Sequence, residues 1–145
     1  MNAIREGAEL PPQRRTATLE TLVRYAGAAG DFYPMHYDLD AARSQGHAEL
    51  SLHGLLKAAW LHDYVAEWAD GFADVEEIDV RYQAMDFRDR PLTLGGHVAV
   101  VDGRRVELQL WTRDDTGAVT TTATARLRTR PHPAAPVLPT NEEPG

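Results

Sequence analysis

The sequence predicts an α+β domain in which an antiparallel sheet wraps one long, mostly apolar helix. Three observations predict it. Helical periodicity fills the first half of the chain and strand periodicity the second, the order expected of a sheet laid against helices. The stretch 52–69 is apolar on nearly every side, with a narrow polar strip at Lys57, Asp63 and Glu67. A helix of that kind must be covered. The later strand runs are joined by tight-turn signals and can supply the cover.

Taken in order, residues 1–15 mix charge with Pro11-Pro12 and hold a short strand or an arm. Leu19, Leu22, Val23 and Ala26 then recur at helical spacing within 16–29. Thr18 and Glu20 suit the start of that helix and Gly30 its stop. Pro34 prevents its continuation, because proline lacks the N–H and disfavours helical geometry in Tyr33. A short helix at 40–44 follows, with Asp38 at its start, and ends near Gly46. Within the long helix Trp60, Tyr64 and Trp68 share a helical spacing and read as core.

Ile78, Val80 and Tyr82 then alternate with Asp79, Arg81 and Gln83. The runs 94–101 and 106–111 meet through Asp102-Gly103, and Val106, Leu108 and Leu110 share a face. After a turn at Asp115-Thr116-Gly117, the last strand sends Val119, Thr121, Ala123, Ala125 and Leu127 inward. The arginines on its other face, Arg126 and Arg128, together with Arg130, read as a solvated surface. The whole forms a single domain over 1–130, and the proline-rich tail 131–145 is expected to be disordered.

Composition narrows the function. A chain of 145 residues holds one core. The net charge of −7 argues against nucleic acid as partner. There is no apolar run of roughly 18 residues and no secretion leader, so the expectation is a cytoplasmic protein that does not bind membranes. Cysteine is absent, which excludes thiolate chemistry and disulfides. Of the 15 bases only Lys57 is a lysine. His36, Asp38, His47 and His53 match no established zinc spacing, and no metal or other cofactor is expected. Ser44 and Ser51 lack the surroundings of a hydrolase nucleophile.

The informative passage is Gly30-Asp31-Phe32-Tyr33-Pro34-Met35-His36-Tyr37-Asp38, followed by Leu52-His53-Gly54-Leu55. Taken singly, Asp31 reads as a turn cap and His36 as a buried histidine. As a spaced double motif they resemble the MaoC-like family, the (R)-specific enoyl-CoA hydratases and related dehydratases. That resemblance implies a hotdog fold, usually dimeric, with active sites near the subunit interface. It implies a hydro-lyase acting on an enoyl or 3-hydroxyacyl thioester of coenzyme A or acyl carrier protein. Asp31 and His36 would be the acid–base pair and the Gly54 N–H the oxyanion donor. Tyr33, Pro34 and His53 would line the substrate pocket.

The residues suit that chemistry on their own account. Hydration needs a group to deprotonate water and a proton for the α-carbon, tasks a carboxylate and an imidazole can share. Five positions apart, the two would not align on a helix face, but a bend at proline can aim both at one water. A glycine N–H at the start of a helix suits the charge that builds on the thioester oxygen. The chain departs from the family pattern at Tyr33, where Asn is usual, and at Ala29, where Ser is usual. The first departure points to a specialised acyl group. The alternatives are a hotdog thioesterase and a non-catalytic acyl-binding subunit of a hetero-oligomer; a homodimer is the leading expectation.

Overall fold

The computed structural model describes residues 4–131. Its elements are β1 (Gln13–Thr16), α1 (Leu19–Ala29), α2 (Leu39–Ser44), α3 (Gly54–Trp68), β2 (Ala73–Tyr82), β3 (Pro91–Asp102), β4 (Arg105–Arg113) and β5 (Val119–Thr129), with one 3-10 turn at Pro34–His36. The five strands form one antiparallel sheet in the order β1-β3-β4-β5-β2.

Thr18 caps α1, its hydroxyl accepting from Thr21 N–H while the Thr21 hydroxyl accepts from Thr18 N–H. Gly30 closes the helix in the left-handed conformation, φ 68°, where a side chain would be strained. Asp38 caps α2 by accepting from Asp40 and Ala41. The core lies between α3 and the concave face of the sheet. Leu56, Leu61 and Val65 of α3 are buried with Leu94 and Val98 of β3, Leu108 and Leu110 of β4, and Ala125 and Leu127 of β5. Trp60 and Tyr64 are buried as expected. The Tyr64 hydroxyl donates to the Pro11 carbonyl at 2.9 Å, which ties the N-terminal segment to α3. Residues 7–10 run beside β3, with Leu10 N–H donating to Gly96 O and Val98 N–H to Ala8 O.

Two boundaries and one strand pairing differ most from expectation. Helix α3 starts at Gly54 rather than residue 52, because Leu52 N–H is taken by Asp86 O and Ser51 is bridged to Phe87. Strand β2 begins at Ala73, its first half hidden in the sequence by Asp74, Glu76, Glu77 and a bulge between Val75 and Glu77. The expected meander holds for β3 to β5, whereas β2 pairs with β5 at the far edge. Segment 83–90 therefore carries the chain across the start of α3 to reach β3. No described helix is long and apolar enough to cross a membrane. The expected tail lies almost wholly outside the described residues.

Two glycines let β3 and β4 pair closely. A Cβ on Gly95 would sit 2.9 Å from the Trp111 ring, and one on Gly96 2.7 Å from the Gln109 carbonyl oxygen. The second contact is with backbone, which cannot swing aside. Gly96→Val is expected to cost about 1–3 kcal/mol and to lower Tm by several degrees in a thermal melt.

Candidate active site

The site is built where α1 ends. Beyond Gly30 the Asp31 carboxylate accepts from Tyr33 N–H at 3.3 Å, a local turn of the kind aspartate favours. Pro34 opens the 3-10 turn, and His36 N–H donates to Tyr33 O, closing it. That turn directs the His36 ring inward, where it is 6% exposed. From the other side, the strip before α3 supplies Ser51 and His53, both 1% exposed.

Hydrogen bonds to carbonyls define the two imidazoles. His36 Nδ1 lies 2.8 Å from Ser51 O and His53 Nε2 lies 3.1 Å from Asp31 O. A carbonyl only accepts, so each of these nitrogens carries the proton in the neutral ring. The lone pairs are thus left on His36 Nε2 and His53 Nδ1. His53 Nδ1 is buried and has no partner among the described residues. The two rings stack with centroids 3.8 Å apart and planes 21° apart, and Tyr25 packs on His53 at 5.0 Å.

Asp31 belongs to the same cluster. A carboxylate oxygen of Asp31 and a ring nitrogen from each of His36 and His53 all lie within 4.8 Å of one another. Two hydrogen bonds of about 2.8 Å meeting at a water's tetrahedral angle span roughly 4.6 Å. A water bridging any two of these groups would therefore fit within that separation. The cluster fits a metal ion less well. Imidazole lone pairs lie in the ring plane, and two stacked, nearly parallel rings aim them side by side rather than at one point.

Gly54 opens α3 directly after His53, which provides no side-chain cap, so the first N–H groups of the helix stay available. A Cβ at Gly54 would lie 3.2 Å from the Tyr82 ring, so any other residue there would press that ring aside. Tyr33 is 52% exposed, its ring edge-on to His36 at 6.3 Å, and Pro34 is exposed as well. Both stand on the open side of the site, where Phe32, Leu55, Tyr82 and Met85 are also exposed. A cavity of about 1000 Å³ lies at the other end of α3 beside Trp68 and Phe72 and does not border Asp31 or His36. The structure thus brings Asp31, His36 and His53 together and sets Gly54 beside them. Sequence reasoning gave His53 a place in the pocket but missed its stacking on His36. Its position next to the helix-opening glycine was the available signal.

The model of the MaoC-like domain matches residues 2–124. This chain belongs to that family. The beta subunit of 3-oxo-4,17-pregnadiene-20-carboxyl-CoA hydratase from Mycobacterium tuberculosis is 27% identical over 124 residues, covering 86% of this chain and 95% of that one. The crystal structure of the ChsH1–ChsH2 complex from the same organism superposes with a TM-score of 0.80 at 27% identity, over 87% of this chain and 98% of that one. The (R)-hydratase of A. caviae involved in PHA biosynthesis shares the fold, with a TM-score of 0.83 at 16% identity over 90% of this chain and all of that one. The curled sheet of this MaoC-like domain is accordingly the hotdog arrangement, as the double motif implied.

Electrostatics tune the cluster. Burial first, and then the neighbouring His36, hold His53 below its ordinary value of 6.5, while the Asp31 hydrogen bond and charge pull the other way. The unfolded chain would take up a proton near 6.5 and the folded one only lower. Stability from this group is therefore present above that value and is lost as pH falls below it. Tm is expected to drop between about pH 7 and pH 5, and less steeply in His53→Gln, as calorimetry at matched ionic strength would measure.

Proposed function

We propose that this MaoC-like domain is a hydro-lyase that adds or removes water across the double bond of an acyl thioester, with Asp31 and His36 as its acid–base pair. The observation that carries the reading is a carboxylate oxygen and an imidazole nitrogen within 4.8 Å of each other, close enough for one water to bridge, beside the glycine that opens α3. With Nδ1–H held by Ser51 O, His36 presents the Nε2 lone pair to the water. Nε2 accepts a water proton as the oxygen bonds to C3 of the enoyl group. The Asp31 carboxylate accepts the second water hydrogen in a hydrogen bond and aligns the oxygen. The proton on Nε2 then passes to C2, so the double bond is replaced by one C–O and one C–H bond. The Gly54 N–H, at the positive end of α3, stabilises charge on the thioester oxygen meanwhile. Elimination is the same path reversed.

The open side supports a second subunit as the missing wall of the site, with Phe32, Tyr33, Leu55, Tyr82 and Met85 each 40–60% exposed around it. A homodimer is our reading. An unlike pair is the alternative, supported by likeness to a chain of the ChsH1–ChsH2 complex. A cytoplasmic setting and a coenzyme A or carrier-protein thioester go with the reading. The specialised acyl group is supported by Tyr33 and by a relative named for a pregnadiene carboxyl-CoA substrate. A thioesterase acid is not favoured, since Asp63 and Glu67 of α3 are exposed and far along the helix from Gly54.

Asp31→Asn and His36→Ala are each expected to lower kcat/KM for an enoyl thioester by about 100-fold or more, followed by loss of the enoyl absorbance. Wild-type turnover in either variant would refute the assigned roles. Release of free thiol from a saturated thioester would instead mark an esterase.

A further inference from the structure

The mechanism leaves one buried charge without a task. Lys57, the sole lysine, is 2% exposed in the first turn of α3, and Asp86 is 4% exposed. Their charges meet at 2.8 Å. Lys57 Nζ also donates to Ala84 O at 3.0 Å and lies 5.7 Å from the centre of the Tyr82 ring. Stability alone is weak ground for such an arrangement. A buried ion pair commonly does no better than an apolar pair of the same volume, and a cation in the first turn opposes the helix dipole.

The contacts of the pair lead to the site. The Asp86 carboxylate grips the first turn of α3 through Lys57, while the Asp86 carbonyl accepts from Leu52 N–H at 2.9 Å. One residue thus holds both the start of α3 and the strip leading into it, on either side of His53-Gly54. That strip in turn holds His36 through Ser51 O. The ring held beside the lysine, Tyr82, is the one packed over Gly54.

We propose that Lys57 and Asp86 are positioning residues that fix the Gly54 N–H relative to His36, and so set turnover rather than substrate affinity. This inference rests on the hydro-lyase reading for its kinetic arm and on structure alone for its second arm. The test is the double variant Lys57→Met/Asp86→Leu, which removes both charges without stranding either. It is expected to fold with a Tm near that of the wild type. Its kcat on an enoyl thioester should fall about tenfold or more while KM shifts less than about threefold, a displacement at the reacting atoms being felt chiefly in the transition state. Amide exchange at Leu52 and Leu56, whose N–H groups donate to Asp86 O and His53 O on either side of Gly54, should quicken about tenfold, with exchange across β3 to β5 unchanged. Asp86→Glu, which keeps the pair, should recover part of the lost kcat.

A folded double variant with wild-type kcat and wild-type exchange at Leu52 and Leu56 overturns the proposal. So does a rise in KM alone. Should the apolar pair not fold, Lys57→Gln/Asp86→Asn is read in the same two assays, and failure of both to fold makes the pair a folding element and overturns the positioning role. Absence of wild-type turnover would count against the hydro-lyase reading, and the exchange arm would still decide the placement of Gly54.

Discussion

The strip of residues 50–53 is held by main-chain hydrogen bonds along both edges, and everything at the site depends on it. On one side Ser51 N–H donates to Met35 O and Ser51 O receives the His36 ring. On the other, Leu52 N–H donates to Asp86 O and Leu50 O accepts from Arg88 N–H. Three segments distant in sequence are thereby fixed in one layer before α3 begins. The strip decides the tautomer of His36, the burial of His53 and the point at which the helix starts. A short piece of extended chain can do this because its polar groups are paired in place rather than left to water.

Much of this was legible in the sequence. The helices at 19–29 and 54–68 announced themselves by periodicity, and β3 to β5 by alternation with tight turns between them. Asp31 and His36 were found through the resemblance of their spaced motif to the MaoC-like family, and the proline between them, which forbids a helix, lets that spacing serve a bend. The position of β2 was hidden, since strand order depends on contacts across the chain that alternation within one strand does not encode. The start of α3 was also hidden. Leu52 is apolar and fits the helical pattern, yet its N–H is claimed by a residue more than thirty positions later.

Within the site, sequence spacing and spatial grouping diverge instructively. His36, Asp38, His47 and His53 invited comparison as possible ligands because they lie near one another in the chain. Folding separates them by role. Asp38 caps α2, His47 lies by Phe87, and His36 and His53 stack with Asp31 beside them. Burial of the His53 ring in this stack, and then the neighbouring His36, favour its uncharged form, which is why its value is lowered.

The last strand has an implication for how an anionic carrier would approach. Arg126 pairs with Glu77 and Glu107, Arg128 with Glu76, and Arg130 with Asp74. These are exposed pairs worth little to stability individually. Their effect on the surface field is larger, because each arginine is already matched by a carboxylate of the same chain. That face therefore offers a near-neutral ladder to a phosphorylated molecule diffusing nearby. It gives no long-range pull for ionic strength to weaken, and capture there would rest on short-range fit.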